Sequence, residues 1–367
     1  TAATANKTVF VSSGTYAENL SIAKSVKLSG NNAGIRPTST NFGQAPRLAE
    51  TWINGTVTIA ADDVELNGLR IHHTTPLAFS GTRHGFKLRF SYLTGQTSSV
   101  RYNYDGNQAG TTALNNWLIE ANWIGEMPQI NTNASIWIIG GLKNASFLDN
   151  TFTQACWGHL QVMGVENMTM TGNTFRDNLT SIFSNAAGYA IQFDGKNENI
   201  LFANNTVINT AGGFKIYVSN GWEALGNKNF TIENNTFYGT KRPLSNRMEP
   251  SIYFWGRATG TNENIVVRNN TISQDISEFM TGQHANIVDF RGSIKDFTFA
   301  NNTITVNGTG TVSEAQSVNA VLLGGAFNGF LKIEGNTVNA GQAVAGAHPF
   351  SAINLNPTLT GTISADC

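Results

Sequence analysis

Apolar and polar residues alternate in short runs along almost the whole chain, and no segment sustains a 3.6-residue apolar period over several turns. The alternation repeats. The segments SFLDNTF, TMTGNTF, LFANNTV, TIENNTF, VVRNNTI, TFANNTI and KIEGNTV each place two alternating apolar residues before an Asn-Thr pair and an apolar residue after it. The Asn residues of these pairs are Asn150, Asn173, Asn205, Asn235, Asn270, Asn302 and Asn336, spaced by 23 to 35 residues. Asn122 in ANWIGE and Asn67 in ELNGLRI extend the series toward the N-terminus. A second run precedes each repeat and ends near a glycine: SIWIIGG, HLQVMGV, YAIQFDG, KIYVSNG, SIYFWGR, NIVDFRG and AVLLGGA. Period-two alternation puts Ile136/Ile138, Leu160/Val162, Ile191/Phe193, Ile216/Val218, Ile252/Phe254 and Val288/Phe290 on one face, which must be the interior.

Strand, short turn, strand, tight Asn turn and strand, repeated without helical patterning, predicts parallel strands wound into a coil. The expected fold is all-β: a single right-handed parallel β-helix, or β-solenoid, of about ten coils with an Asn ladder, forming one domain over residues 1–367. The right hand follows from the preference of parallel crossovers. Asn suits the turn because its short side chain tolerates the left-handed backbone conformation and bonds its own main chain. Stacked coil on coil, the amides can also bond along the axis. A β-branched residue at Asn235 or Asn270 is therefore expected to be costly. The regular placement of the many N-x-[ST] triplets follows from this turn chemistry rather than from glycosylation.

Composition narrows the function. The chain has 45 Asn among 367 residues, roughly three times the usual share. With 23 Lys+Arg, 24 Asp+Glu and a net charge of -1, it lacks the basic footprint of a nucleic-acid binder. It also lacks the unbroken apolar stretch of a membrane span. Two cysteines, Cys156 and Cys367, exclude a disulfide framework and a Cys-based zinc site. Among the six histidines only His72 and His73 are adjacent, and neighbours on a strand point to opposite faces, so no metal site and no cofactor is expected.

The outward positions of the second run carry the candidate chemistry. They are Trp137 and Ile139; His159, Gln161 and Met163; Gln192 and Asp194; Lys215, Tyr217 and Ser219; Tyr253, Trp255 and Arg257; Asp289 and Arg291. Parallel strands about 4.8 Å apart would join them into one face. Rings stack on the apolar faces of sugars while planar polar groups fix hydroxyls, so this face suits a polysaccharide or cell-surface glycan. Burial of the same face under a loop or a neighbouring subunit is the other reading, because Trp137, Ile139, Met163 and Trp255 are costly to leave wet as one patch.

A glycosidase needs two carboxyl groups about 5–9.5 Å apart, whereas Asp194 and Asp289 would lie three coils, roughly 14 Å, apart; Glu249 on the preceding loop could approach the face, but nothing in the sequence places it there. A lyase needs a base beside a uronate carboxyl and a cation to hold the charge. Lys215 with Arg257 could fill these roles, and Tyr217 could protonate the leaving oxygen. Glu198, Lys228, Glu263 and Lys295, just before the Asn-Thr repeats, place opposite charges on adjacent coils as an edge row of ordinary cross-strand pairs.

The opening VFVSSGTYAENLSIAKSVKLSG resembles the first coils of right-handed parallel β-helix proteins, among them pectin methylesterases, polysaccharide lyases and repetitive bacterial surface proteins. The N-N-T segments resemble the generic repeat of that superfamily. IVDFRG resembles the nucleophile segment of pectin methylesterases, which implies Asp289 as nucleophile; the QDTL-like partner segment is absent, and Gln192 and Asp194 in IQFDG only echo it. The leading expectation is an extracellular or particle-surface β-helix that contacts polysaccharide, with lyase chemistry favoured over hydrolase or esterase if it is an enzyme. Its rival is a structural or adhesive surface component whose face is buried in assembly. Neither end carries a polar cap, so continuation into a longer chain or end-to-end self-assembly is expected.

Overall fold

The computed structural model describes residues 4–38, 47–95, 100–103, 114–126, 134–155, 158–178, 189–210, 212–217, 226–238, 250–255, 260–275, 285–307, 318–340, 350–355 and 359–366. Strands are the only regular elements among them. The chain forms two compact units, residues 1–174 and 175–367. In each, the described strands fall on a first, a second and a third sheet, and strands of successive coils pair in parallel. Among the described residues the third sheet has six strands in each unit. In the second unit these are Tyr189–Asp194, Gly212–Tyr217, Ile252–Trp255, Ala285–Arg291, Val318–Leu323 and Phe350–Leu355. The early coils lack the Asn-Thr signature and add turns to those the repeat picks out.

The alternation sets the core. Ile136, Ile138, Leu160 and Val162 in the first unit, and Ile191, Phe193, Ile252, Phe254, Val288 and Phe290 in the second, are at most 1% exposed. The register seats Phe214 and Ile216 against Ile191 and Phe193, with Val218 outside the described residues. Phenylalanines stack up the second unit's interior, with Phe193 5.3 Å from Phe214 and Phe254 4.9 Å from Phe290. At each coil the ring contacts add to the burial of apolar area.

The Asn turn divides its work between two adjacent residues. The left-handed residue is the one before the expected position: Asp149, Asn204, Asn234, Asn269 and Asn301, all with φ between 54° and 56°. Gly335 fills the same role at φ 60°, where a Cβ would sit 2.2 Å from Asn301 Oδ1. Asn235 and Asn270 are not left-handed, which corrects the expectation. Their side chains form the ladder instead. Asn270 Oδ1 accepts from the Asn235 backbone N–H and Nδ2, both at 3.0 Å; Asn270 Nδ2 donates to the Ile232 carbonyl at 2.9 Å and to Asn302 Oδ1 at 3.0 Å. All four hydrogen-bonding sites of the amide are used, away from water. Such bonds link Asn122, Asn150 and Asn173 in the first unit and run from Asn205 to Asn336 in the second.

Asn67 is not a rung. It pairs in register with Arg89, and Arg89 with Glu120, two residues short of Asn122; Ser91 receives the Asn122 rung and Leu69 stands below it. Two further amide rows flank the first sheet of the second unit. Asn197, Asn227 and Asn262 bond in sequence at 2.9 Å inside, while Asn199, Asn229 and Asn264, all left-handed, bond at 2.7 and 2.9 Å outside.

Replacing each of the paired turn residues separates their roles. Asn269→Gly keeps a residue that favours positive φ and is expected to change stability by less than about 1 kcal/mol. Asn270→Ala strands three buried partners and is expected to cost about 3 kcal/mol or more, at about 1–3 kcal/mol per orphaned group. Urea midpoints of the two variants check this; equal losses would contradict it.

Candidate functional site

The row of interest lies on the outer side of the second unit's third sheet. Gln192, Lys215, Tyr253 and Asp289 are direct cross-strand neighbours, and Asp194, Tyr217, Trp255 and Arg291 form the next row. The outward register expected from alternation is therefore present. Its burial is not what an open face would show. Gln192, Asp194 and Asp289 are buried and Lys215 is only 8% exposed, while Tyr253 is half-buried and Arg291 exposed.

Polar groups at this depth need partners, and the row supplies them. Gln192 Nε2 donates to both oxygens of Asp194, at 3.0 and 3.1 Å, while Gln192 Oε1 is buried without a hydrogen bond among the described residues. Lys215 Nζ lies 4.1 Å from the centroid of the Tyr189 ring and 5.8 Å from that of Tyr253. Tyr253 thus has two cations near its ring, with the Arg291 guanidinium 5.9 Å from its centroid. Arg291 turns Nε and Nη2 onto the Asp289 carboxylate at 2.8–3.0 Å, and Asn286 Nδ2 donates to the same carboxylate at 2.8 Å. Behind Asn286 the amides of Asn319 and Asn354 continue the chain of bonds.

These contacts give several of the expected residues their surroundings. Asp289 accepts from the Arg291 guanidinium and from the Asn286 amide. Lys215 is a buried cation over the Tyr189 ring and near the Tyr253 ring. In the first unit, His159 was expected on the outward face; it is fully buried, its ring 6.3 Å from that of the core residue Phe152. Gln161 and Met163 are half-buried beside it. Trp137 keeps its place in register with Gln161, but its side chain and those of Ile139, Tyr217 and Trp255 lie outside the described residues, as do Ser219, Glu249, Arg257, Cys156 and Cys367.

The charged edge row has the expected alternation. Glu198, Lys228, Glu263 and Lys295 are cross-strand neighbours, with Lys295 Nζ 3.0 Å and Lys228 Nζ 3.9 Å from the Glu263 carboxylate. The Lys295 hydrogen bond first, then the two positive charges, hold the Glu263 carboxyl below the usual glutamate range.

A second row was not anticipated. On the second sheet of the first unit, Trp52, Arg70, Tyr92 and Trp123 are successive outward neighbours. The Arg70 guanidinium stacks 4.2 Å over the Trp52 ring, and the rings of Tyr92 and Trp123 are parallel within 3°. Burial, then the Glu126 carboxylate that accepts from its hydroxyl, push the Tyr92 phenol well above its ordinary range. The segments TWI, LRIHH, SYLTG and NWIG carried this signal, aligned every coil.

Parallel pairing of strands in successive coils, three sheets and buried amide ladders define the architecture, and the right handed beta helix region family matches residues 98–272. The chain is a right-handed parallel β-helix. This β-helix is similar to solved structures of varied function. DFA-IIIase from Arthrobacter chlorophenolicus A6 is 11% identical at a TM-score of 0.49, covering 97% of this chain and 84% of that one. The catalytic unit of a GH87 alpha-1,3-glucanase from Streptomyces thermodiastaticus is 12% identical at 0.37, covering 98% and 64%. The surface protein and adhesin PfbA of Streptococcus pneumoniae is 13% identical at 0.36, covering 98% and 91%. No curated protein matches the chain. Similarity at this level concerns the coil alone.

Two tests follow from the charges. Arg291→Ala leaves Asp289 buried with only Asn286 to meet its charge and is expected to cost about 1–3 kcal/mol, part of which Asp289→Asn should restore in a double-mutant cycle; additive losses would contradict the pairing. Because the folded-state pKa of Glu263 is depressed, its contribution to stability is present above the unfolded glutamate pKa and is lost as pH falls through the lower folded value. A carboxyl NMR titration should show Glu263 titrating low in the native chain and moving up toward the usual value in Lys295→Met.

Proposed function

We propose that this β-helix binds polysaccharide through the outward strip of its second unit's third sheet, outside the cell or at a cell or particle surface. The observation that carries the reading is the half-buried Tyr253 ring with the Lys215 and Arg291 cations 5.8 and 5.9 Å from its centroid. A ring face offers the apolar side of a sugar a stacking surface. The two cations would hold carboxylates, so a uronate-containing polymer fits better than a neutral one. The buried Asp289 fixes the exposed Arg291 guanidinium through their ion pair, and a fixed group loses little freedom on binding.

Elimination is the finer proposal. In that reaction a base removes the proton beside the uronate carboxyl, the bond to the leaving oxygen breaks as the ring double bond forms, and the oxygen takes up a proton. Lys215 is the base candidate, Tyr217 the proton donor and Arg257 the carboxylate holder. Stacking over Tyr189 favours an anchoring cation over a base, and Lys215→Arg separates the two, because arginine keeps the charge and cannot be deprotonated.

Affinity electrophoresis in gels containing pectate, alginate or neutral glucan tests the binding. The native chain should be retarded by a uronate polymer. Tyr253→Ala should weaken that retention at least tenfold while leaving the thermal midpoint within about 4 °C, as expected of a residue outside the core. Absence of retention by every polymer would overturn the proposal. Ultraviolet-absorbing unsaturated products that disappear in Lys215→Arg, with retention kept, would establish Lys215 as a base; retention without products would leave it an anchor.

A further inference from the structure

We propose a second saccharide site, on the second sheet of the first unit, that takes a single pyranose ring against Trp52. An open groove of about 460 Å³ lies there, lined by Ser13, Thr15, Glu50, Trp52 and Arg70 among others. Its size matches a small ligand site. The groove is where the stacked row stops. Trp52, Arg70, Tyr92 and Trp123 occupy successive coils, but the residue opposite Trp52 on the preceding coil is Thr15, short and exposed. The Arg70 guanidinium lies over the Trp52 indole, and both side chains line the groove together with Ser13, Gly14 and Thr15 of the preceding coil.

The polar wall is prearranged. Arg47, fully buried, sets Nε and Nη2 on the two oxygens of Glu50 at 2.8 and 2.7 Å, and Nη1 on the carbonyls of Ile35 and Phe90 at 2.7 and 3.1 Å. Those bonds fix the Glu50 carboxylate while each of its oxygens keeps a further lone pair. The groove therefore combines an indole face, a fixed carboxylate acceptor, a guanidinium donor and the hydroxyls of Ser13 and Thr15. A ring with an apolar face and equatorial hydroxyls matches that set: the face stacks on the indole and the hydroxyls bond to the carboxylate and the guanidinium. The site is independent of the Tyr253 strip, which lies in the other unit.

The test uses the whole chain and the methyl glycosides of glucose, galactose and glucuronic acid. Titration followed by two-dimensional NMR should move the Trp52 indole N–H resonance with at least one glycoside while the indoles outside the groove stay in place. Thr15→Trp extends the row over the groove at an exposed strand position and should lower the affinity at least tenfold with an unchanged thermal midpoint. Tyr253→Ala should leave this binding intact. The proposal is overturned if none of the three glycosides shifts Trp52, or if folded Thr15→Trp binds as tightly as the native chain. Should Thr15→Trp fail to fold, the Trp52 shift alone decides.

Discussion

A buried primary amide brings two donors and two acceptor positions into a place without water, and it is stable there only if all four are met. Asn270 meets them with one residue from the coil before, one from the coil after and one backbone carbonyl. Because Asn302 and Asn235 repeat the arrangement, a coil can neither slip in register nor rotate against its neighbour without stranding several groups at once. The phenylalanine stack contributes burial, but burial alone tolerates displacement. The ladder does not.

Fixed register gives the surface its order. On each sheet the outward residues of successive coils become direct neighbours, so residues some thirty positions apart act on the same ligand-sized patch. Lys215, Tyr253 and Asp289 meet in this way, as do Trp52, Arg70 and Tyr92 in the other unit. The same stacking explains why the charges along the first sheet alternate: like charges at Lys228 and Glu263 would face each other across one strand spacing. Both ligand proposals use this property. A rigid row holds rings and planar polar groups in place before anything binds, which is the condition for affinity without large rearrangement.

The coil was legible because its signals are local and repeated. Period-two alternation identified Ile191, Phe193 and Phe254 as interior, and the Asn-Thr pairs marked the rungs Asn150 and Asn173 in the first unit and Asn205 to Asn336 in the second. The division of labour within Asn269-Asn270 was not legible, since either residue suits a left-handed turn and only backbone geometry tells which one adopts it. Asn67 misled for a related reason: its Asn-Gly looks like the turn, yet the rung position of those early coils is held by Leu69 and Ser91. Burial of His159, Lys215 and Asp194 depends on what covers an outward position, which alternation does not encode. The Trp52 row escaped notice because its strands are three or four residues long and carry no Asn-Thr pair, although TWI, RIH, YLT and WIG align once the coils are in register.

The most direct test of the account is a crystal structure of the chain with a bound uronate oligosaccharide. The expected result is a sugar ring stacked on Tyr253 with the carboxylates of the oligosaccharide toward Lys215 and Arg291. An oligosaccharide bound away from the third sheet of the second unit, with Tyr253 untouched, would contradict it.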